Sequence, residues 1–367
     1  MTNQKIQNRI EAIDVLRGLA LALMLLVNNP GSWSAVYAPF LHANWHGLTP
    51  TDLVFPFFLF VVGASMACSL KGQIQQSGIP WLSVFKRSFL LFFIGFILQI
   101  IPFDQAPDTW RIMGVLQRIG LCFLLVAILI ALIKEPLLLL SGVLVLLAYW
   151  LILQLAGQAP YTLEDNIVRH FDMAILGSHH MWQGMGLPFD PEGLLSTISA
   201  CLTVLSGYLV CVYVLQQKTH QQQVFQLLVV GTITLIVGLT WSIWYPINKG
   251  LWTGSFVLVS SAAACFSLAG IILLYRLPSA KMLLYGLKVY GSNPIFIYVA
   301  AWLFSIFLNR FTLSVADQST SIQGWIYANL QSAMPDKLAS LLFALLFTFL
   351  FYGIAWVLYK KRIFIKL

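Results

Sequence analysis

The stretch HANWHGLTPTDLVFPFFLFVVG, residues 42–63, decides the fold. A short polar segment carrying two histidines runs directly into a long apolar run. Thr49, Pro50 and Asp52 mark a helix start between the two: a threonine suited to the N-cap, a proline suited to the first helical position, and a carboxylate able to reach back to the cap. The junction therefore sets a titratable imidazole at the mouth of a fixed helix, at the edge of a membrane. Pro56 removes a backbone donor inside the apolar run, which predicts packing against other helices or water rather than lipid.

Composition extends this reading to the whole chain. With 59% hydrophobic and 9% charged residues and a mean hydropathy of +0.83, the sequence lies far from a soluble globule, in which about 25% of residues are charged. Runs of about 20 apolar residues fall at ten places, near 12–30, 52–70, 83–101, 112–133, 136–156, 192–216, 224–245, 252–275, 289–308 and 339–359. The expectation is an all-α, polytopic membrane helix bundle forming a single domain over 1–367. The first ten residues are polar and no small-residue cleavage site follows a short apolar core, so the N-terminus reads as retained. Placing it in the cytoplasm puts fourteen basic residues on that side, among them Lys5, Arg9, Lys71, Lys218, Lys360 and Lys366, against five on the other, with Arg17 and Arg118 inside spans. That satisfies the positive-inside rule with both termini cytoplasmic. The net charge of +8 thus describes orientation and argues against nucleic-acid binding. Five cysteines lie in apolar runs without metal-ligand spacing and read as small buried hydrophobes.

In chain order, Asp14 and Arg17 share one helix face. They form either a neutralised pair or, because charge at membrane depth usually faces a cavity, a site for the anionic part of a ligand. Asn28 and Asn29 end the first span before Pro30 and Gly31. The following loop carries Trp33, Tyr37, Phe40 and Trp45, rings that serve an interfacial belt or stack on a sugar. His42 stands in this loop with no basic residue between 31 and 51, and an imidazole ordinarily titrates at about 6.5, so it is the candidate proton acceptor.

Further along, Gln117 and Arg118 open the fourth span, and Arg118 requires an anion there: Asp52, Asp14 or a ligand phosphate. The acidic loop 157–191 holds His170, His179 and His180 without any metal-binding pattern, so no metal is expected. In FDPEGLLST, Asp190 suits a helix cap, whereas Glu192 is less readily explained that way. Asn248, Lys249 and Trp252 cluster between the seventh and eighth spans, and Asn293-Pro294 breaks the ninth, a pattern found where helices part around a binding site. Residues 309–338 read as a loop without chemistry.

Taken in order, IEAIDVLRG, MLLVN, HANWHGLTPTDLVFPFF, GVLQRIG, FDPEGLLST, PINKGLWT and GSNPIFIYV resemble the heparan-alpha-glucosaminide N-acetyltransferase family and its bacterial relatives. The resemblance implies a transmembrane acyltransferase that moves the acetyl group of cytosolic acetyl-CoA to the amino group of a glucosamine across the bilayer. It makes His42, in HANW, the counterpart of the catalytic histidine, and Asn28, in LVN, the counterpart of its supporting asparagine. His42 is then a general base or a transient acetyl carrier. Asn28 donates to the developing oxyanion or holds the ring, and Asp52 orients the ring from its other side. Arg17, Gln117, Arg118 and Asn293 are the expected acetyl-CoA contacts, and Trp45, His180, Glu192, Asn248, Lys249 and Trp252 the expected contacts of the sugar. Eukaryotic members carry a further luminal domain and span before the first motif, so the expectation here is a bacterial inner-membrane protein whose His42 loop faces the periplasm and a periplasmic or cell-wall amino sugar. Its partners are the bilayer, acetyl-CoA and that sugar, with a homodimer as a candidate assembly. The alternative class is a secondary transporter for an amino sugar, and a passive interaction protein is disfavoured by the cost of Arg118 and the Asn-Pro break.

Overall fold

A computed structural model describes residues 2–155, 158–217, 219–315 and 318–365. Lys218 and Lys366, counted above for orientation, lie outside these residues, and Lys5, Arg9 and Lys71 lie outside those whose side chains are described. The chain forms helices α1 (Thr2–Asn28), α2 (Val54–Ser77), α3 (Trp81–Ile100), α4 (Val115–Leu132), α5 (Leu138–Gln154), α6 (Ile167–Leu176), α7 (Leu194–Leu209), α8 (His220–Trp241) and α9 (Gly254–Leu274). α10 (Lys281–Tyr290), α11 (Pro294–Arg310), α12 (Ile322–Gln331) and α13 (Asp336–Lys360) complete the bundle. Among the described residues, 8 helices are long and apolar enough to cross a membrane, or 9 with α10 and α11 taken as one span bent by 74°. The remaining expected span, near 12–30, is covered by α1, whose Glu11, Asp14 and Arg17 make it more polar than the others.

Burial separates a centre from a periphery. α7 with its continuation to Val214 is 83% buried and the α2 span 72%, whereas α8 is 22% buried and α3, α5 and α13 are each 28%. The poorly buried helices present leucine and phenylalanine outward, as lipid-facing helices must. α2 packs against α7 in the middle, and glycines set their separation. A Cβ on Gly63 would stand 1.7 Å from the carbonyl oxygen of Val204, and one on Gly207 would stand 1.9 Å from that of Phe60. Such backbone-to-backbone approach is how membrane helices gain packing where burial from water gives no driving force.

Several local expectations are refined. Thr49 caps a 3-10 turn, Pro50–Leu53, before α2 begins at Val54. Pro56 therefore lies in the first turn of the α-helix, where the cost of its missing donor is small. The Asn293-Pro294 break is real, but Asn293 binds the chain's own C-terminal segment: its Nδ2 donates to Ile363 O at 3.0 Å and its Oδ1 accepts from Ile365 N at 2.7 Å. The stretch expected to be a plain loop, 309–338, holds an antiparallel hairpin, β1 (Thr312–Val315) with β2 (Gln318–Ser321), followed by α12. Four of the cysteines are buried and reduced; Cys68, also expected to be buried, is exposed.

Candidate active site

At the end of the bundle that carries His42, a cavity of about 760 Å³ opens between the 31–51 loop, the 246–253 turn and the ends of α1 and α11. His42, Asp52, Lys249 and Glu192 line its wall, as do Asn28 and Trp45. Six residues scattered from 28 to 249 in sequence thus share one space.

The helix-start chemistry builds the centre. Asp52 is 1% exposed and divides its two oxygens between two tasks. Oδ2 accepts from Thr49 N at 3.0 Å, from Thr49 Oγ1 at 3.0 Å and from Ala43 N at 3.1 Å, which locks the carboxylate in place. Oδ1 then meets His42 Nδ1 at 2.7 Å. A carboxylate only accepts, so Nδ1 bears a proton, and in the neutral ring Nε2 is the nitrogen with the lone pair. The bonds at the helix start and the contact with the ring thus belong to one carboxylate.

Lys249 supplies what the 31–51 loop lacks. Its Nζ lies 3.1 Å from His42 Nδ1, 3.5 Å from Nε2 and 3.6 Å from Asp52 Oδ1. With Nδ1 donating to Asp52, the ammonium has Nε2 and the carboxylate as acceptors. Burial lowers the pKa of Lys249 from its ordinary value, and the nearby Asp52 and Glu192 offset only part of that.

Two of the residues expected at the sugar, Asn248 and Trp252, build the turn that carries Lys249. Asn248 is wholly buried; its Nδ2 donates to Trp45 O at 2.9 Å and its Oδ1 accepts from Leu251 N at 2.7 Å, which ties the two loops together. Trp252 closes the turn at φ 50, a left-handed conformation that costs a non-glycine residue about 1–3 kcal/mol. Its buried indole offsets that cost, donating to Thr203 Oγ1 at 3.1 Å and packing edge-on against Phe55. His180 also lies off the cavity: its Nδ1 meets Trp110 O at 2.8 Å and pins the short turn Ser178–His180.

Arg111, not singled out in the sequence beyond its place in an external turn, forms the opposite wall. Its Nε donates to Asp190 Oδ2 at 2.9 Å, and its Nη2 to Asp190 Oδ1 at 2.8 Å and to Glu192 Oε2 at 2.7 Å. Asp190 is therefore an ion-pair partner whose Oδ1 also accepts from Glu192 N at 2.9 Å, the bond a cap makes, although α7 itself starts only at Leu194. Burial alone would raise the pKa of Glu192, but Arg111, Arg118 and Lys249 outweigh burial and hold it below its ordinary value. Beneath it, Asp172 Oδ1 accepts from Leu194 N and Leu195 N, both at 3.1 Å, and so caps α7 from another helix. Gly193 permits this, since a Cβ there would stand 1.8 Å from Asp172 Oδ2.

The four residues expected at acetyl-CoA do not line the cavity. Arg17 pairs with Asp14 at 2.8 Å and donates to Ser65 Oγ at 2.7 Å. Gln117 donates to Ile112 O at 3.0 Å, and Asn293 holds the C-terminal segment. Arg118 is fully buried and pairs with neither Asp52 nor Asp14: it donates to Gly193 O at 3.0 Å and to Ser196 Oγ, and lies 5.1 Å over the Trp252 ring. Its Nε and Nη1 have no hydrogen-bond partner. Among the described residues no group of three or more His, Cys, Asp or Glu side chains is placed to hold a metal ion.

Fold and site together define a polytopic helical membrane protein with a histidine, carboxylate and lysine grouped at the mouth of one cavity. Residues 9–175 match the family described as heparan-alpha-glucosaminide N-acetyltransferase, catalytic. The protein named heparan-alpha-glucosaminide N-acetyltransferase in Mus musculus is 29% identical over 428 residues, covering 100% of this chain and 62% of its own length. Its namesake in Homo sapiens is 28% identical over 420 residues, covering 98% of this chain and 60% of its own length. The chain thus spans about three fifths of these relatives. The family read from the motifs is the family that both comparisons return.

Proposed function

We propose that this protein is a membrane N-acetyltransferase that moves the acetyl group of acetyl-CoA to the amino group of a glucosamine-type sugar, with the His42 cavity facing the periplasm of a bacterial inner membrane. The observation that carries the reading is the 2.7 Å contact of His42 Nδ1 with a carboxylate whose other oxygen is already fixed by three donors. In the neutral ring that arrangement puts the one proton on Nδ1 and leaves Nε2 as the lone-pair nitrogen, which is what an amine needs in order to lose its proton as it attacks a thioester carbonyl.

The cavity suits both substrates. At about 760 Å³ it falls within the roughly 300–1,000 Å³ of small-molecule sites. One part of its wall, with Met24, Leu25, Tyr298 and Ala301, is largely apolar and fits the thioester arm, whereas Trp45, Glu192 and Asn28 fit an amino sugar. In the step itself, the Lys249 ammonium bonds to Asp52 rather than to Nε2, and Nε2 of His42 accepts the proton that the nitrogen loses as the new C–N bond forms. The same proton passes to sulfur as the C–S bond breaks, so atoms and charge balance and free CoA leaves as the thiol. Asn28 and the Lys249 ammonium stand as donors for the oxyanion, each such donor being worth about 3–4 kcal/mol of barrier.

Purified protein in detergent, given acetyl-CoA and glucosamine, is expected to release free CoA and the N-acetylated sugar in equal amounts. His42→Ala is expected to abolish both while melting at the temperature of the parent. Normal turnover by the variant would remove His42 from the chemistry. Uptake of labelled sugar into vesicles lacking acetyl-CoA, with no transfer, would favour a transporter instead.

A further inference from the structure

Resting on the acetyl-transfer reading above, we propose that Lys249 is a modification site: with no sugar in the cavity, its side-chain amine gives up a proton to His42 and takes the acetyl group itself, forming an amide that stops further transfer.

Position is the first reason. Among the described residues, Lys249 is the lysine that lines the His42 cavity, where the thioester has to arrive. Its Nζ stands 3.5 Å from His42 Nε2, close to the roughly 2.6–3.2 Å at which a base takes a proton. The amine of a bound sugar must reach the same nitrogen, so the two amines compete for one base and one thioester. The backbone under Lys249 is fixed, because Asn248 Oδ1 accepts from Leu251 N at 2.7 Å and Asn248 Nδ2 donates to Trp45 O at 2.9 Å. The side chain is not: its flexible four-carbon stem lets the nitrogen leave Asp52 Oδ1, 3.6 Å away, for a carbonyl that enters the cavity.

Chemistry is the second. A lysine amine is the same kind of nucleophile as the amino group of glucosamine, and desolvation or a neighbouring cation activates it. The charged and titratable groups around it are Asp52 and His42 from the segment ahead of α2, Glu192 ahead of α7 and Arg118 of α4. Asp52 and Glu192 favour the ammonium, burial and Arg118 favour the free amine, and burial prevails. Two protons leave the nitrogen. His42 Nε2 passes the first to solvent, accepts the second as the C–N bond forms, and hands that one to sulfur as the C–S bond breaks. Acetyl-CoA and the ammonium thus become an amide, free CoA thiol and one solvent proton. The amide carries no charge, so Asp52 and Glu192 lose a nearby cation, the oxyanion loses a donor, and an acetyl group stands in the cavity beside His42.

The experiment incubates the purified protein in detergent with acetyl-CoA and no acceptor, and follows acetylation of each lysine by peptide mass spectrometry. One acetyl group is expected on Lys249, ahead of the exposed Lys281 and Lys337, with transfer to glucosamine lost in proportion to its occupancy and saturating glucosamine protecting the site. His42→Ala is expected to slow acetylation of Lys249 by about 10²–10⁴-fold, the worth of a positioned base, and to leave Lys281 and Lys337 unaffected. Lys249→Arg, whose guanidinium stays protonated, should take no acetyl group there. A protein that acetylates glucosamine yet leaves Lys249 unmodified, or modifies it no faster than the exposed lysines or equally fast in His42→Ala, would overturn the proposal. If glucosamine is not acetylated and no CoA is released, the acetyl-transfer reading fails by itself. Acetic anhydride at a limiting dose then decides for Lys249: labelling ahead of Lys281 and Lys337 that is lost in His42→Ala upholds the pairing of amine and base, and even labelling sinks it.

Discussion

Replacing Asp52 by Asn tests the site at its most constrained atom. The side chain is nearly isosteric and sits 1% exposed, so packing survives the change. What changes is where the new amide must point. Three donors, Ala43 N, Thr49 N and Thr49 Oγ1, converge on Oδ2. Two are backbone groups that cannot turn away, so the amide oxygen occupies that position and its NH₂ is presented to His42 Nδ1. An NH₂ only donates. Nδ1 must then accept, the proton moves to Nε2, and the atom that should take a proton from the amine already holds one. Loss of the correct tautomer and of a positioned base together removes about 10²–10⁴-fold in rate, or roughly 3–5 kcal/mol of barrier at about 1.4 kcal/mol per tenfold. The assay is release of CoA thiol at saturating acetyl-CoA and glucosamine, with thermal unfolding of the same preparation as the control for integrity. Turnover within about threefold of the parent in a folded Asp52→Asn protein would refute the reasoning, because it would mean that the 2.7 Å contact does not set the state of the ring.

Two further outcomes follow from the carboxylates around α7. Burial pushes the pKa of Asp172 up from 3.8 to about 6, so between those values the folded protein keeps a proton that the unfolded chain has released. Its contribution is fully present below the unfolded pKa and is lost as pH rises through about 6, at about 3 kcal/mol for the roughly two-unit shift; Asp172→Asn should flatten the fall in melting temperature between pH 4.5 and 7, and an unchanged slope would contradict the assignment. Arg111→Ala strands the buried Asp190 and Glu192 without their cation, which should cost about 3–5 kcal/mol of stability. An undiminished melting temperature in that variant would show that the pair is not held in the folded protein as the 2.7–2.9 Å contacts imply.

Local chemistry accounts for much of what the sequence reading reached. Hydropathy places helices because an apolar run in a bilayer has no other way to satisfy its backbone. The Thr49 to Asp52 signature marks a helix mouth because cap and carboxylate lie within one turn of each other. His42 stands ten residues from Asp52, so the central pair was within reach of sequence alone. Arg118 shows the limit of such reasoning. Its cost at membrane depth was evident, but its partners proved to be a carbonyl, a hydroxyl and an indole face, and no rule of spacing ranks these against a distant carboxylate.

The chain by itself thus determines the membrane-crossing helices and the imidazole ahead of α2, since each depends on neighbours a few residues away. Only the tertiary structure brings Lys249 to His42 across 207 residues and Arg111 to Asp190 across 79, and shows Asn248 and Trp252 bracing the turn between them. The physical reason is that ion pairing at the cavity is settled by which loops the packed helices leave adjacent. That adjacency follows from contacts such as Gly63 and Gly207 deep in the bundle, which carry no trace of the charges they eventually align.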